Sequence, residues 1–231
     1  MPAPLSVVIP TLNAAAELPE CLGSLMEGVS EGLIHELIIS DGGSEDATTE
    51  IAADVGASLV TGPASRGGQL RRGCAVAKGD WLLVLHADTQ LSPGWAAVVA
   101  QHLEGAGDEG RQRAPAYFNL RFRAKGLAPS LVAGWANLRS RLFGLPYGDQ
   151  GLLISRAAYL EAGAYPDQPL MEDVELAKRL SNLQALAVEA RTSAARYQRD
   201  GWLCRGGRNL LTLLRFLLGA DPKTLARSYH K

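Results

Sequence analysis

Along the first hundred residues, runs of apolar residues alternate with stretches of helical period. LSVVIP (5–10) is an apolar run suited to a buried strand, and residues 14–28 follow with Leu18, Cys21, Leu22 and Leu25 at helical spacing. HELIIS (35–40) predicts a second strand. Ser44, followed by Glu45 and Asp46, predicts a helix over 44–55, because acids in a first turn complement the helix dipole. ASLVT (57–61) is a third strand, 67–77 a Gly-rich helix, and WLLVLH (81–86) a fourth strand. Its apolar run is almost continuous, as in a strand buried on both faces. Ser92-Pro93 then opens a helix that runs to about 103. The alternation predicts an α/β fold: a mostly parallel, doubly wound sheet with helices on both faces.

The second half is less regular. Residues 105–114 form a polar loop, 117–122 a strand, 129–143 a helix, 151–155 a short strand and 156–162 a short helix. A helix over 172–183 and a last strand over 187–197 precede an amphipathic helix at 203–218, whose polar stripe is Arg208, Thr212 and Arg215. The division is one domain over 1–200, in halves 1–105 and 106–200, and a C-terminal extension over 201–231.

Composition narrows the class. The 231 residues are 47% apolar and 20% charged, ordinary for a globular chain, so collagen, disulfide scaffolds and disordered proteins are excluded. No basic residue precedes the first apolar run, which reads as a strand and not a signal peptide. Arg208 and Arg215 interrupt the most apolar late stretch, so no bilayer-spanning helix is expected. Three scattered cysteines suit a reducing, cytoplasmic setting, with the inner membrane face as a peripheral site. Charge is uneven. Residues 1–65 hold ten acidic residues and no Lys or Arg, whereas 191–231 hold nine basic and two acidic ones. Such a tail suits phosphates, an anionic membrane or the acidic half of its own fold. With Tyr197, Trp202, Phe216 and Tyr229 as its aromatics and no recognition motif, it does not suggest nucleic acid.

In open α/β sheets ligands sit beyond the carboxyl ends of the strands. Those ends read Pro10-Thr11-Leu12-Asn13, Asp41-Gly42-Gly43-Ser44 and His86-Ala87-Asp88-Thr89. Three successive strand ends therefore bring polar groups to one edge. No G-x-G-x-x-G follows the first strand, and neither a P-loop nor a G-x-S-x-G elbow is present.

The blocks VVIPTLNAA, ELIISDGGSEDAT, SRGGQLRRGCAVAKGDWLLVLHADT and MEDVELAKRL, in this order and spacing, resemble the family-2 glycosyltransferases over residues 4–185. HADT, PYGDQG (146–151) and the ending GADPKTLARSYH look closest to a bacterial subgroup sometimes linked to arsenosugar and radical-SAM gene neighbourhoods. The resemblance implies a GT-A fold, a nucleotide-diphospho-sugar donor, a divalent cation (Mn2+ or Mg2+) and inversion at the anomeric carbon. It makes 1–105 the nucleotide-binding half and 106–200 the acceptor half.

The resemblance also implies roles. Thr11, Asn13 and Asp41 take the base or ribose of the donor, with Pro10, Gly42, Arg66, Gln69, Arg72, His86 and Ala87 on the same side. Asp88 holds the metal; His86 stands where the usual D-x-D motif has its first carboxylate. Asp173 is the general base, and Asp149, Gln150 and Glu172 meet the acceptor. Plainer readings stand beside these. Asp41 and Ser44 suit an Asx-turn, Glu172 and Asp173 suit a helix start, Arg71 and Arg72 suit a solvated basic patch, and Trp135 and Trp202 suit core packing. The rival functions are a nucleotidyltransferase, which would want a Gly-rich basic loop after the first strand, and a non-catalytic nucleotide-sugar-binding protein. The leucines of 203–218 exceed what a solvated helix exposes. They are expected at a homodimer contact, with peripheral membrane binding as the alternative.

Overall fold

A computed structural model describes residues 3–104 and 114–229. The polar loop expected at 105–114 lies outside the described residues, save its last position. In chain order the elements are β1 (Leu5–Thr11), α1 (Leu18–Ser30), β2 (Ile34–Asp41), α2 (Thr48–Asp54), β3 (Ser58–Thr61), α3 (Arg66–Val76), β4 (Trp81–Val84), β5 (Thr89–Leu91) and α4 (Trp95–Glu104). Then come β6 (Ala116–Phe122), α5 (Leu127–Phe143), a 3₁₀ turn (Gly148–Gln150), β7 (Leu152–Ser155), α6 (Arg156–Glu161) and α7 (Glu172–Ala177). β8 (Gln184–Thr192), α8 (Ala195–Asp200), α9 (Trp202–Leu217) and α10 (Pro222–Tyr229) complete the chain.

The strands form one eight-stranded sheet in the order β3-β2-β1-β4-β7-β6-β8-β5. β1 is parallel to β2 and β4, and β2 to β3; β7 runs antiparallel to β4 and β6, β8 is parallel to β6, and β5 is antiparallel to β8. Six strands therefore share one direction, and β5 and β7 are reversed. Alternate residues face opposite layers. Leu5, Val7 and Ile9 pack with Leu18, Cys21 and Trp95 of α1 and α4. Val8, Leu82 and Val84 pack with Leu70 and Cys74 of α3, Tyr159 of α6 and Leu176 of α7. A side chain at Gly73 would meet Val8 Cγ1 at 2.6 Å, so the glycine lets α3 lie directly on β1. Each such fully buried aliphatic side chain contributes about 1.5–3 kcal/mol.

Several boundaries differ from the sequence expectation. α2 begins at Thr48, not at 44, because Ser44 and Asp46 are used by the preceding loops: Asn13 N donates to Ser44 Oγ and Ala15 N to Asp46 Oδ2. α7 ends at Ala177, where tighter turns follow and Asn182 adopts a left-handed φ of 58°. β8 starts and stops earlier than 187–197, and residues 195–200 are helical. β5 and α10 were not expected. α10 starts where Asp221 Oδ2 accepts from Thr224 N.

α9 turns most of its leucine face to solvent and buries polar side chains instead. The buried side of α9 carries Arg205, Thr212 and Leu213, whereas Leu203, Leu211, Leu214 and Leu218 point to solvent. Arg205 is satisfied inside: it donates to Asp200 Oδ2 at 3.1 Å and to Tyr229 Oη at 2.8 Å, and its guanidinium lies 4.5 Å from the Tyr229 ring centre. The expected stripe of Arg208, Thr212 and Arg215 is therefore split, with Thr212 buried and both arginines outside. α5 is similar, exposing Leu127, Leu131, Trp135, Leu138 and Leu142. Core packing holds for Trp202, wedged against Phe122 and Tyr197, but not for half-exposed Trp135. No described helix is long and apolar enough to cross a membrane.

Candidate functional site

Parallel pairing puts Thr11 of β1 opposite Asp41 of β2 at the C-terminal edge. Asp41 is buried and takes four hydrogen bonds. Thr11 Oγ1 (2.8 Å) and Ser44 Oγ (2.5 Å) donate to Oδ1; the N–H groups of Gly43 (2.7 Å) and Ser44 (2.7 Å) donate to Oδ2. Burial alone would raise this carboxyl group; the bonds from Ser44, Thr11 and Gly43 outweigh it and hold the pKa below its ordinary value. A carboxylate has about four lone-pair positions, and all are filled. Direct contact between Asp41 and a nucleotide must displace one of them. The carboxylate thus builds the Asx-type turn that shapes the loop.

Gln69 is similarly committed. Its amide donates to Thr11 O (2.6 Å) and Ser40 O (3.2 Å), bracing the two strand ends from beneath, and it is buried. It packs against Gly42, where a side chain would meet its amide carbon at 3.0 Å. In this position Gln69 supports the strand ends that carry the loops after β1 and β2. Asn13 is exposed, with a left-handed φ of 50°, and its Oδ1 accepts from Glu45 N at 2.8 Å. It clasps the loops after β1 and β2. Pro10 and Ala87 lie partly buried near the same edge.

The N-terminus of α3 is occupied by the chain's own groups. Ser65 Oγ accepts from Gly68 N and donates to Asp167 Oδ1, while Gly67 N donates to Gln168 O. The N–H groups of Gly67 and Gly68 are thus taken up within the chain. Arg72 donates to Pro63 O at 3.0 Å and packs on Gly62, so it braces the loop before α3. Arg66 behaves differently. Its Nε lies 3.7 Å from Glu172 Oε1, and Glu172, Asp173 and Asp88 together raise its pKa against the opposing effect of burial.

The second half of the chain brings the remaining groups to β4. The 3₁₀ turn Gly148–Gln150 rests against His86: a side chain at Gly148 would overlap His86 Nε2. Gly148 N donates to Asp173 Oδ2 at 2.6 Å, and Val174 N to Asp173 Oδ1 at 2.7 Å. His86, Tyr147, Gly148 and Asp173 share the wall of a cavity of about 20 Å³, roughly the room of one water. Burial, then Arg66 and Arg196, push the His86 pKa well below 6.5, so the ring is neutral. Met171 enters α7 with φ 62°, a strained conformation at the turn that aims Glu172 and Asp173 inward.

Asp149 and Gln150 separate in role. Burial, with repulsion from Asp173 and Asp88 and relief from Arg139 and Arg66, raises the Asp149 carboxyl to about 6, and its buried Oδ1 has no partner. Gln150 is fully buried. Its Oε1 accepts from Ser140 Oγ (2.6 Å) and Arg139 (3.4 Å), and its amide donates to Phe118 O and Asn137 Oδ1 (3.3 Å each). Gln150 holds the turn through these bonds. Glu172 is also buried, with both oxygens unbonded; burial first, then Asp173, raises it to about 8, opposed by Arg66.

Asp88 sits in the 86–89 turn, closed by Thr89 N donating to His86 O at 3.0 Å and anchored because Thr89 pairs with Thr192 of β8. No described residue bonds its carboxylate. Among the described residues no cluster of three or more His, Cys, Asp or Glu is assembled. Mg2+ and Mn2+ sites often use one or two carboxylates and complete their shell with substrate phosphates and water. The donor set fits a cation that arrives with a diphosphate. Sequence reasoning missed Arg139, whose guanidinium lies 3.6 Å over the Tyr147 ring, and Arg196, near His86. Neither shares a local motif with its partner.

Comparison with known proteins agrees with this architecture. The model for Glycosyl transferase family 2 matches residues 6–141. A PGL/p-HBAD biosynthesis glycosyltransferase of Mycobacterium tuberculosis is 40% identical over 99 residues, 39% of this chain. The match spans 38% of that relative's length. Among solved structures, S. aureus TarS 1-349 in complex with UDP superposes with a TM-score of 0.61 at 16% identity, covering 98% of this chain and 70% of that one. Glucosyl-3-phosphoglycerate synthase from M. tuberculosis, in complex with Mn2+, UDP and phosphoglyceric acid, gives 0.58 at 23% identity, covering 94% and 79%. At these identities the structures establish the fold, which is GT-A.

Proposed function

The chain belongs to glycosyl transferase family 2, and from that premise we propose that it moves a sugar from a nucleotide-diphospho-sugar to an acceptor hydroxyl by one inverting displacement. The observation that carries the reading is the convergence at the end of β4. There Asp88 keeps an unbonded carboxylate, and Asp173 shares a cavity wall with His86 and the Gly148 turn. The acceptor oxygen attacks the anomeric carbon as the bond to the diphosphate oxygen breaks, and Asp173 takes the hydroxyl proton. The bonds from Gly148 and Val174 hold the Asp173 carboxylate in one orientation for that task. Asp88 would hold a divalent cation, which offsets the negative charge growing on the leaving diphosphate. Arg66 faces the same carboxylates from the donor side.

The loops after β1 and β2, shaped by Thr11, Asn13, Asp41 and Gly42, are assigned to the nucleotide, and the turn bearing Asp149 to the acceptor. The division into a nucleotide half (1–105), an acceptor half (106–200) and a basic extension follows from those assignments. UDP in complex with TarS, and Mn2+ with UDP in the synthase, support a uridine donor and a cation. Cys21, Cys74 and Cys204 are free thiols, in keeping with a cytoplasmic setting.

A thermal-shift screen of UDP-, GDP- and dTDP-sugars, with and without Mn2+, tests the reading. A donor at a hundredfold excess over its Kd adds about 2.7 kcal/mol, or roughly 5–10 °C for a chain of this size. A flat response to every donor at millimolar concentration would refute it.

A further inference from the structure

We propose that the outward faces of α5 and α9 form a docking surface for an anionic lipid bilayer. The two helices pack on each other, and each turns an apolar stripe to solvent. On α5, Leu131, Trp135 and Leu142 recur at helical spacing; on α9, Leu203 and Leu214 do so, and Leu218 at its C-terminal cap continues the series. Leu203 and Leu218 are 89% and 87% exposed, close to full exposure. At 100° per residue each stripe occupies a single arc. α9 cannot roll to hide its leucines, because its inner side is fixed by Arg205 bonded to Asp200 and Tyr229.

Charge selects the occupant. α5, α9 and α10 contain no Asp or Glu, while Arg141, Arg208, Arg215, Lys223 and Arg227 are exposed. In projection Arg208 and Arg215 lie on one edge of the α9 stripe, beside Leu211, and Arg141 on an edge of the α5 stripe. Long basic side chains bordering leucines can reach up to headgroup phosphates while the leucines enter the acyl boundary. Trp135, among the α5 leucines, suits the interface for the same reason. A second copy on a twofold axis would set this acid-free patch against itself, with no carboxylate of α5, α9 or α10 to meet its arginines. The inner Leu213 and Phe216 of α9 pack on Met171, Val174 and Tyr147, so a docked bilayer lies about one helix diameter from the Asp173 turn.

The proposal stands apart from the sugar-transfer reading, since its test needs no turnover. The full chain is floated with phosphatidylcholine vesicles and with vesicles containing phosphatidylglycerol. The expected result is flotation with the anionic vesicles alone. At about a fivefold contribution per arginine, R208Q/R215Q should bind roughly thirtyfold more weakly. L131Q/L203Q/L218Q should abolish flotation with an unchanged Tm, because these side chains are exposed. Failure to float, equal flotation with neutral vesicles, or a dimer that the triple variant converts to monomer would each overturn it.

Discussion

Gly148 donates its backbone N–H to Asp173 Oδ2 at 2.6 Å, across 25 positions of sequence. The bond ties the start of α7 to the turn that bears Asp149, so the proposed base and the proposed acceptor contact move as one unit. His86 supports the turn from the β4 side, so the start of α7 and the turn at Gly148 register directly against the C-terminal end of β4.

Asp173→Asn should lower kcat by roughly 10²–10⁴. It carries a structural cost as well. Both carboxylate oxygens accept backbone N–H bonds, so the amide nitrogen of Asn must face a donor, costing about 1–3 kcal/mol. Donor Kd, measured below the lowered melting temperature, should stay near wild type. A variant with weak donor binding and normal kcat would place Asp173 elsewhere in the reaction.

Gly148→Ala should destabilise the protein by about 1–3 kcal/mol, since the methyl would overlap the His86 ring. His86→Ala removes the obstacle, so the double variant should recover much of that loss in a denaturant cycle. Simple additivity of the two changes would show that the clash is not the cause.

Glu172 makes stability depend on pH. Its carboxyl is raised in the folded state to about 8, chiefly by burial, from an ordinary value of 4.5. The unfolded chain loses this proton at lower pH than the folded one. Stability from this group is therefore complete below about pH 4.5 and is lost as pH rises through about 8. Glu172→Gln should flatten that slope and raise Tm most at the alkaline end. An unchanged slope in urea titrations across the range would contradict the assignment.

Asp88→Asn should remove most activity with little change in Tm, because no described residue bonds its carboxylate. Excess chelator should stop turnover of the wild type, and Mn2+ or Mg2+ should restore it. Full activity in EDTA would eliminate the metal from the mechanism.

The parallel block was legible because β1, β4 and the last half of β2 are buried on both faces and so appear as largely apolar runs. β5 was not. It is three residues long, and its partner β8 lies a hundred positions away, so no local pattern marks it. The embedding of Gln150 was not legible for a related reason. Next to Asp149 it looks like a ligand contact, but the groups that consume its amide come from β6 and α5. Periodicity revealed the amphipathicity of α9 but not the burial of Arg205, because its partners are set by tertiary contact.

The clamp on α3 bears on the order in which the molecule assembles. Ser65 meets Asp167, 102 positions later, and Gly67 meets Gln168 alongside it. The β1-to-β4 block closes through much shorter crossovers, whereas this clamp waits for a long loop whose closure entropy must be met. A growing chain can thus complete the nucleotide-side turns while Arg66 still lacks Glu172. Contacts formed after the folding barrier act mainly on unfolding. Asp167→Ala should accordingly speed unfolding in stopped-flow measurements and leave the folding limb of the chevron nearly unmoved, making the α3 clamp a latch on the lifetime of the native state.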